Sequence, residues 1–288
     1  MRVTPLAARL GSAALVLLLG AGLGACSGGE TADHRAANDT SADDSADEPT
    51  AVTATEDTTD ETSLQELTAA EFYPVVMGAL REAESFTFTT TEDALGSATS
   101  LSGQARFGDG GIEMSASSTG AQTLELILID QVMYLKSPDL GTGDHYVRID
   151  LNDPNTLFGM VGRATDPEVM FTALKTPTKL ELVGEEEVDG VATNHYRITI
   201  DSADYLEAMD LPDLMREFLP AELVTQMWVD GDNLPRKFAQ TLEAPAPSDG
   251  EPMMSTTEGT YSDFGTDVDI SAPPEDQVST EGLPGGFG

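Results

Sequence analysis

Cys26 is the only cysteine in the 288-residue chain, and it closes the run Leu23-Gly24-Ala25-Cys26. A lone thiol cannot form an internal disulfide. Its setting points to acylation instead. Small residues precede it, the apolar run Leu10 to Ala21 precedes those, and Arg2 and Arg9 stand at the front. That apolar run is too short to cross a hydrocarbon core of ~30 Å as a helix. The pattern is that of a bacterial lipoprotein signal. The expectation is that residues 1–25 are removed, Cys26 takes a diacylglyceryl group, and fatty chains such as palmitate hold the new N-terminus on the outer face of the cell membrane. The competing reading, an ordinary secretory signal with an incidental cysteine, leaves the lipobox unexplained.

The other chemistry-bearing side chains give weaker signals. There are three histidines: His34 lies in a polar stretch, and His145 and His195 each precede a tyrosine at strand positions, where a sheet residue is expected. The sequence holds no G-x-S-x-G elbow, H-E-x-x-H helix or P-loop. With 51 Asp and Glu, paired carboxylates carry no information about acid–base catalysis. Asp230-Gly231-Asp232-Asn233 hints at a calcium loop but lacks the further ligands and distal glutamate of an EF-hand. Lying between two strand patterns, it reads as a turn. No enzyme activity, cofactor or metal is expected.

Lys and Arg number 14, giving a net charge of −37. Loss of Arg2 and Arg9 with the signal leaves 12 basic against 51 acidic groups, or −39. Such a surface repels phosphate backbones and anionic headgroups, which argues against nucleic acid and against electrostatic membrane docking. Attachment then depends on acyl chains, of which two or more hold a protein stably.

The elements that must position any site follow in order. Residues 26–62 are the lipidated cysteine and a Ser/Thr/Ala/Asp/Glu-rich tether, with Val52 its only large aliphatic residue. Such a composition does not offset ordering entropy, and a flexible chain of this length spans roughly 30–36 Å. A folded domain is expected over 63–270. Thr68 and Glu71 have capping-box spacing, and Phe72, Val75, Val76, Ala79, Leu80 and Ala83 form a helical stripe, predicting a helix over 69–84. Strands are predicted at 85–91, 101–107, 112–118, 124–129, 132–136, 144–151, 180–188, 191–201, 223–229, 234–242 and 254–261. Helical inserts are predicted within 154–174, split by Thr165-Asp166-Pro167, and over 202–219. After Ile270 the Pro- and Gly-rich stretch 271–288 reads as a disordered tail. The sum is an α+β fold: a large curved antiparallel half-barrel sheet of ten or eleven strands wrapped around helices.

Three stretches in order carry a resemblance: Gly190-Val-Ala-Thr-Asn-His-Tyr-Arg-Ile-Thr-Ile-Asp201, Met227-Trp-Val-Asp-Gly-Asp-Asn-Leu-Pro-Arg236, and Tyr261-Ser-Asp-Phe-Gly-Thr-Asp-Val-Asp-Ile-Ser-Ala-Pro-Pro274. With the lipobox in front, the chain resembles the actinobacterial LppX/LprG lipoprotein family and, more distantly, the LolA/LolB carriers. The resemblance covers about Leu67 to Pro274. It implies a LolA-like half-open barrel whose apolar cavity holds acyl chains of envelope lipids or glycolipids, with no catalysis. The chain departs from the family in its acidity and its long tether.

The candidate cavity lining combines that implication with residue chemistry. Met160, Met170, Met209 and Met215 fall in the helical inserts, and methionine adapts to irregular apolar shapes. Phe158 and Phe171 accompany them, with Leu124, Leu126, Leu128, Met133 and Leu135 as the opposite wall and Trp228, the only tryptophan, as a further wall residue. Each has an ordinary alternative as core packing. The alternative function is an envelope-sensing, RseB-like interaction module. Regulators of that type carry a second folded domain, and nothing after Ile270 reads as one. The protein partner in that case is unknown.

Overall fold

The computed structural model describes residues 64–94, 96–108, 111–120, 123–152, 177–209, 216, 219–244 and 253–279. The signal, the tether and the insert at 154–174 lie outside them, as do residues 210–215, 217 and 218 of the second insert and residues 280–288.

The stripe at 72–83 forms helix α1, Phe72–Ala83, and buries Phe72, Tyr73, Val76, Met77 and Leu80 on one side. Of the expected capping box only the glutamate half forms, in the turn ahead of the helix: the Thr68 hydroxyl donates to Glu71 and caps no backbone N–H, and no side chain caps the helix start. The Glu71 carboxylate accepts from the Thr68 backbone N–H (3.3 Å) and hydroxyl (2.6 Å), which holds that carboxyl below its usual range. The helix stops at Glu84, whose backbone turns to φ 66° and leads directly into a strand.

The described residues form one twelve-stranded sheet. In chain order its strands are β1 (Ser85–Ala94), β2 (Ser97–Gly108), β3 (Gly111–Gly120), β4 (Glu125–Ile129), β5 (Val132–Lys136), β6 (Tyr146–Asp150), β7 (Lys179–Val188), β8 (Val191–Asp201), β9 (Glu222–Asp230), β10 (Pro235–Ala244), β11 (Met253–Ser262) and β12 (Val278–Ser279). The spatial order is β12-β6-β5-β4-β3-β2-β1-β11-β10-β9-β8-β7. Every pairing is antiparallel except β12 on β6. The sheet is thus two meanders, β1 to β6 and β7 to β11, joined where β1 meets β11. It is open and curved, with few helices, as the resemblance implied.

Helix α1 and a short second helix, α2 (Ser202–Ala208), pack on one face, here the inner face. There Phe72, Tyr73, Val76, Leu80, Tyr205 and Leu206 meet Phe86, Tyr196, Ile198, Met227, Val229, Phe238 and Tyr261. Burial in this apolar interior pushes the phenols of Tyr73 and Tyr261 upward and that of Tyr205 up to about 12. Two backbones approach closely where Gly103 of β2 faces Ala116 of β3; a side chain at Gly103 would collide with the β3 backbone.

Two expectations are corrected. Strands β1 and β2 extend to Ala94 and from Ser97, past the predicted limits. Glu92, Asp93 and Ser97 to Ser100 are polar or small and give no alternation to read. Of the stretch 271–288, expected to be disordered, residues 271–279 continue as a strap. Gln104 and Arg106 hold the carbonyls of Asp269 (2.5 Å) and Ile270 (3.2 Å), and Val278 and Ser279 then pair with Tyr146 and Val147. Its Pro-rich composition suits an extended path, and this strand is the twelfth that the sequence did not reveal.

Candidate functional site

Strands β4 and β5 bring four of the predicted wall residues together, and β6 adds its own apolar side chains to them. Register places Leu126, Leu135 and Val147 side by side in one row and Leu128, Met133 and Ile149 in the next. Leu151 completes the cluster, and Leu124 and Met114 pack against its rim. Met114 also packs against the main core, so both clusters lie on the inner face. The alternation in each five-residue strand produces this buried apolar cluster, since residues two apart share a face. The same alternation sends Glu125, Lys136 and Tyr146 outward as a polar row. Glu125 accepts from Lys136 Nζ (2.8 Å) and the Tyr146 hydroxyl (2.6 Å), which lowers its carboxyl. Burial first, and then that carboxylate, push the Tyr146 phenol up to about 12.

Met209 is buried with α2 in the main core, apart from the wall of β4–β6. Trp228 departs from its expected place. Its neighbours Met227 and Val229 face the helices, so the parity of β9 turns the indole to the outer face. There it stacks on His195 (centroids 4.1 Å apart, planes at 14°), donates its N–H to Glu186 (2.7 Å) and carries Lys237 over its ring at 4.9 Å. His195 is itself held at both ring nitrogens, with Nδ1 2.8 Å from Glu186 and Nε2 3.0 Å from the Gln226 amide oxygen. Hydrogen bonds from Trp228 and then His195 hold the Glu186 carboxyl low. Sequence reasoning missed this group because its members come from four strands, β7 to β10. Cys26, Phe158, Met160, Met170, Phe171 and Met215 lie outside the described residues.

The Asp230–Asn233 segment is a turn. Asp230 is buried, and its carboxylate accepts from the backbone N–H groups of Asp232 and Leu234 (both 2.9 Å) and from Arg236 Nε (2.6 Å). Among the described residues no group of three or more metal-ligating side chains converges. Two polar hollows open on the outer face: one of about 680 Å³, lined chiefly by Ser102, Gln104, Ser115, Ser117 and Tyr146, and one of about 530 Å³ between Glu186, Trp228, Lys237 and Glu258. No described helix is long and apolar enough to cross a membrane.

No protein-family model matches the chain. A curated relative, an uncharacterized 31.2 kDa protein of Streptomyces griseus, is 29% identical over 147 residues, which is 46% of this chain and 46% of the relative. The chain thus spans about half the length of that relative. Among solved structures, LprF of Mycobacterium bovis aligns over 71% of this chain and 96% of its own, with 15% identity and a TM-score of 0.46. The lipoprotein LppX of Mycobacterium tuberculosis aligns over 70% and 98%, with 13% identity and a TM-score of 0.48. MucB, solved in complex with MucA, aligns over 74% and 62%, with 17% identity and a TM-score of 0.36. At these identities and scores the likeness assigns no function.

Proposed function

We propose that this chain is a membrane-anchored lipoprotein of the cell envelope, of the LppX/LprG type, that binds or carries acyl lipids or glycolipids against the apolar wall of β4–β6. The observation that supports this reading most is the wall itself. Its seven buried apolar residues form a cluster separate from the main core. The insert predicted as helical from the sequence, with Phe158, Met160, Met170 and Phe171, follows β6 in the chain and is proposed as the opposite wall. Acyl chains enter such a space by burial at about 0.8 kcal/mol per CH₂, so long chains bind without charged contacts. The proposed anchor is diacylglyceryl-Cys26, and the tether over 27–62 holds the domain off the bilayer.

The direct test is a binding titration of delipidated protein against phospholipids, glycolipids and free fatty acids. The reading expects uptake of one multi-acyl lipid per chain, competed by others of similar chain length. Absence of uptake across the panel overturns it. Anchoring is tested separately: Cys26→Ser releases the protein from the membrane and removes its acyl label, whereas retention of both overturns the anchor.

A further inference from the structure

We propose that strand β7 is a docking edge for an extended, basic segment of a partner protein, which adds as a thirteenth strand. The two ends of the sheet are treated differently. At one end the chain lays its own Val278–Ser279 on β6. At the other, β7 pairs with β8 on one side and, among the described residues, has no neighbour on its second side. The edge is open to solvent: Lys179, Glu181, Leu182, Val183, Glu185, Glu186 and Glu187 are all exposed. Ten residues is long for an exposed edge, and unpaired N–H and C=O groups along it are a template for another strand.

Charge selects the occupant. Strand β7 carries one lysine against four glutamates, and Asp189 follows at its tip. Lys179 is already paired with Glu181 at 2.9 Å, and Glu186 is held by Trp228 and His195. Glu185 and Glu187 lie opposite Asn194 and Ala192 and share their face, ready for cationic side chains. A second copy of this chain would set these glutamates against their own kind. The tether is no better suited, with Arg35 its single Lys or Arg among many carboxylates. A basic strand from another protein turns the same repulsion into attraction. Leu182 and the bulged Val183, 38% and 53% exposed, give such a strand apolar contacts at its middle. The inference is independent of lipid binding.

The test uses the full chain and a synthetic ten-residue peptide alternating lysine and valine. Its controls are the glutamate–valine counterpart and a lysine–valine peptide N-methylated at every backbone amide, which leaves neither edge able to pair. Amide hydrogen exchange is followed along the chain. The lysine–valine peptide is expected to slow exchange over Lys179–Val188, with neither control doing so. Paired Glu185→Lys and Glu187→Lys substitutions, both at exposed positions, are expected to weaken binding about tenfold. Equal binding of the N-methylated peptide would reduce the effect to bulk charge and overturn the proposal. So would protection elsewhere, no binding, or self-association of the chain through β7.

Discussion

Leu128 of β4 and Met133 of β5 stand directly opposite each other on the inner face, 3% and 2% exposed, with Ile149 of β6 next in the row. This cross-strand pair is the centre of the proposed lipid wall. In a closed core, truncating either to alanine costs about 2–5 kcal/mol. In a wall that faces a ligand, part of that cost moves from folding to binding. Leu128→Ala and Met133→Ala are therefore expected to lower acyl-lipid affinity about tenfold, with the stability loss of the lipid-free protein at the low end of that range. Parallel lipid titration and denaturant unfolding check this. A full stability loss with unchanged lipid affinity would assign the pair to ordinary packing.

The outer-face position of Trp228 gives an optical prediction. As the only tryptophan, it reports the surroundings of His195, Glu186 and Lys237. Lipid uptake on the inner face is expected to leave its emission unchanged, whereas a strand docked on β7 is expected to shift it. A lipid-induced shift would place the ligand on the wrong side of the sheet for this account.

Glu186 has a defined pH signature. Its carboxyl is lowered in the fold by the hydrogen bonds from Trp228 and His195. A lowered carboxyl stabilises the fold above its unfolded pKa, and the contribution disappears as pH falls through the folded value. Wild type is expected to be more stable than Glu186→Gln at neutral pH, with the difference closing in acid. Thermal unfolding of both proteins across the acid range measures it.

Glu92 has the opposite sign. Burial raises its carboxyl although Ser255 donates to it at 3.0 Å. The raised group favours the fold below its unfolded pKa and loses that contribution as pH rises through the folded pKa. Glu92→Gln keeps the acceptor and removes the charge, and is expected to stabilise the neutral-pH protein by less than about 1 kcal/mol. The gain should vanish at low pH.

The Asp230 turn is expected to ignore calcium. Its carboxylate already holds two backbone N–H groups and Arg236, whose guanidinium lies 4.9 Å over Phe264. Asp230→Ala is expected to cost about 2–4 kcal/mol, and millimolar calcium or a chelator to leave the unfolding midpoint of wild type unchanged. A calcium-dependent midpoint would restore the metal-loop reading.

Much of this architecture was legible because burial on one face imposes a period. The stripe Phe72 to Ala83 and the alternation of Leu126, Leu128, Met133 and Leu135 each announce an element and its buried side. The face of Trp228 was not legible, because Met227, Trp228 and Val229 are apolar in succession and give no alternation. The group around it is assembled by register across β7 to β10, which no local pattern encodes. Strand β12 was hidden for a related reason: Val278 and Ser279 become a strand only because the strap from Asp269 delivers them to the edge of β6.

Native mass spectrometry of the full chain purified from bacterial membranes tests the central claim most directly. The account predicts a covalent acyl mass on Cys26 and, in addition, a non-covalent mass that dissociates as one multi-acyl lipid. A chain carrying only the covalent mass, and taking up no added lipid, would contradict it.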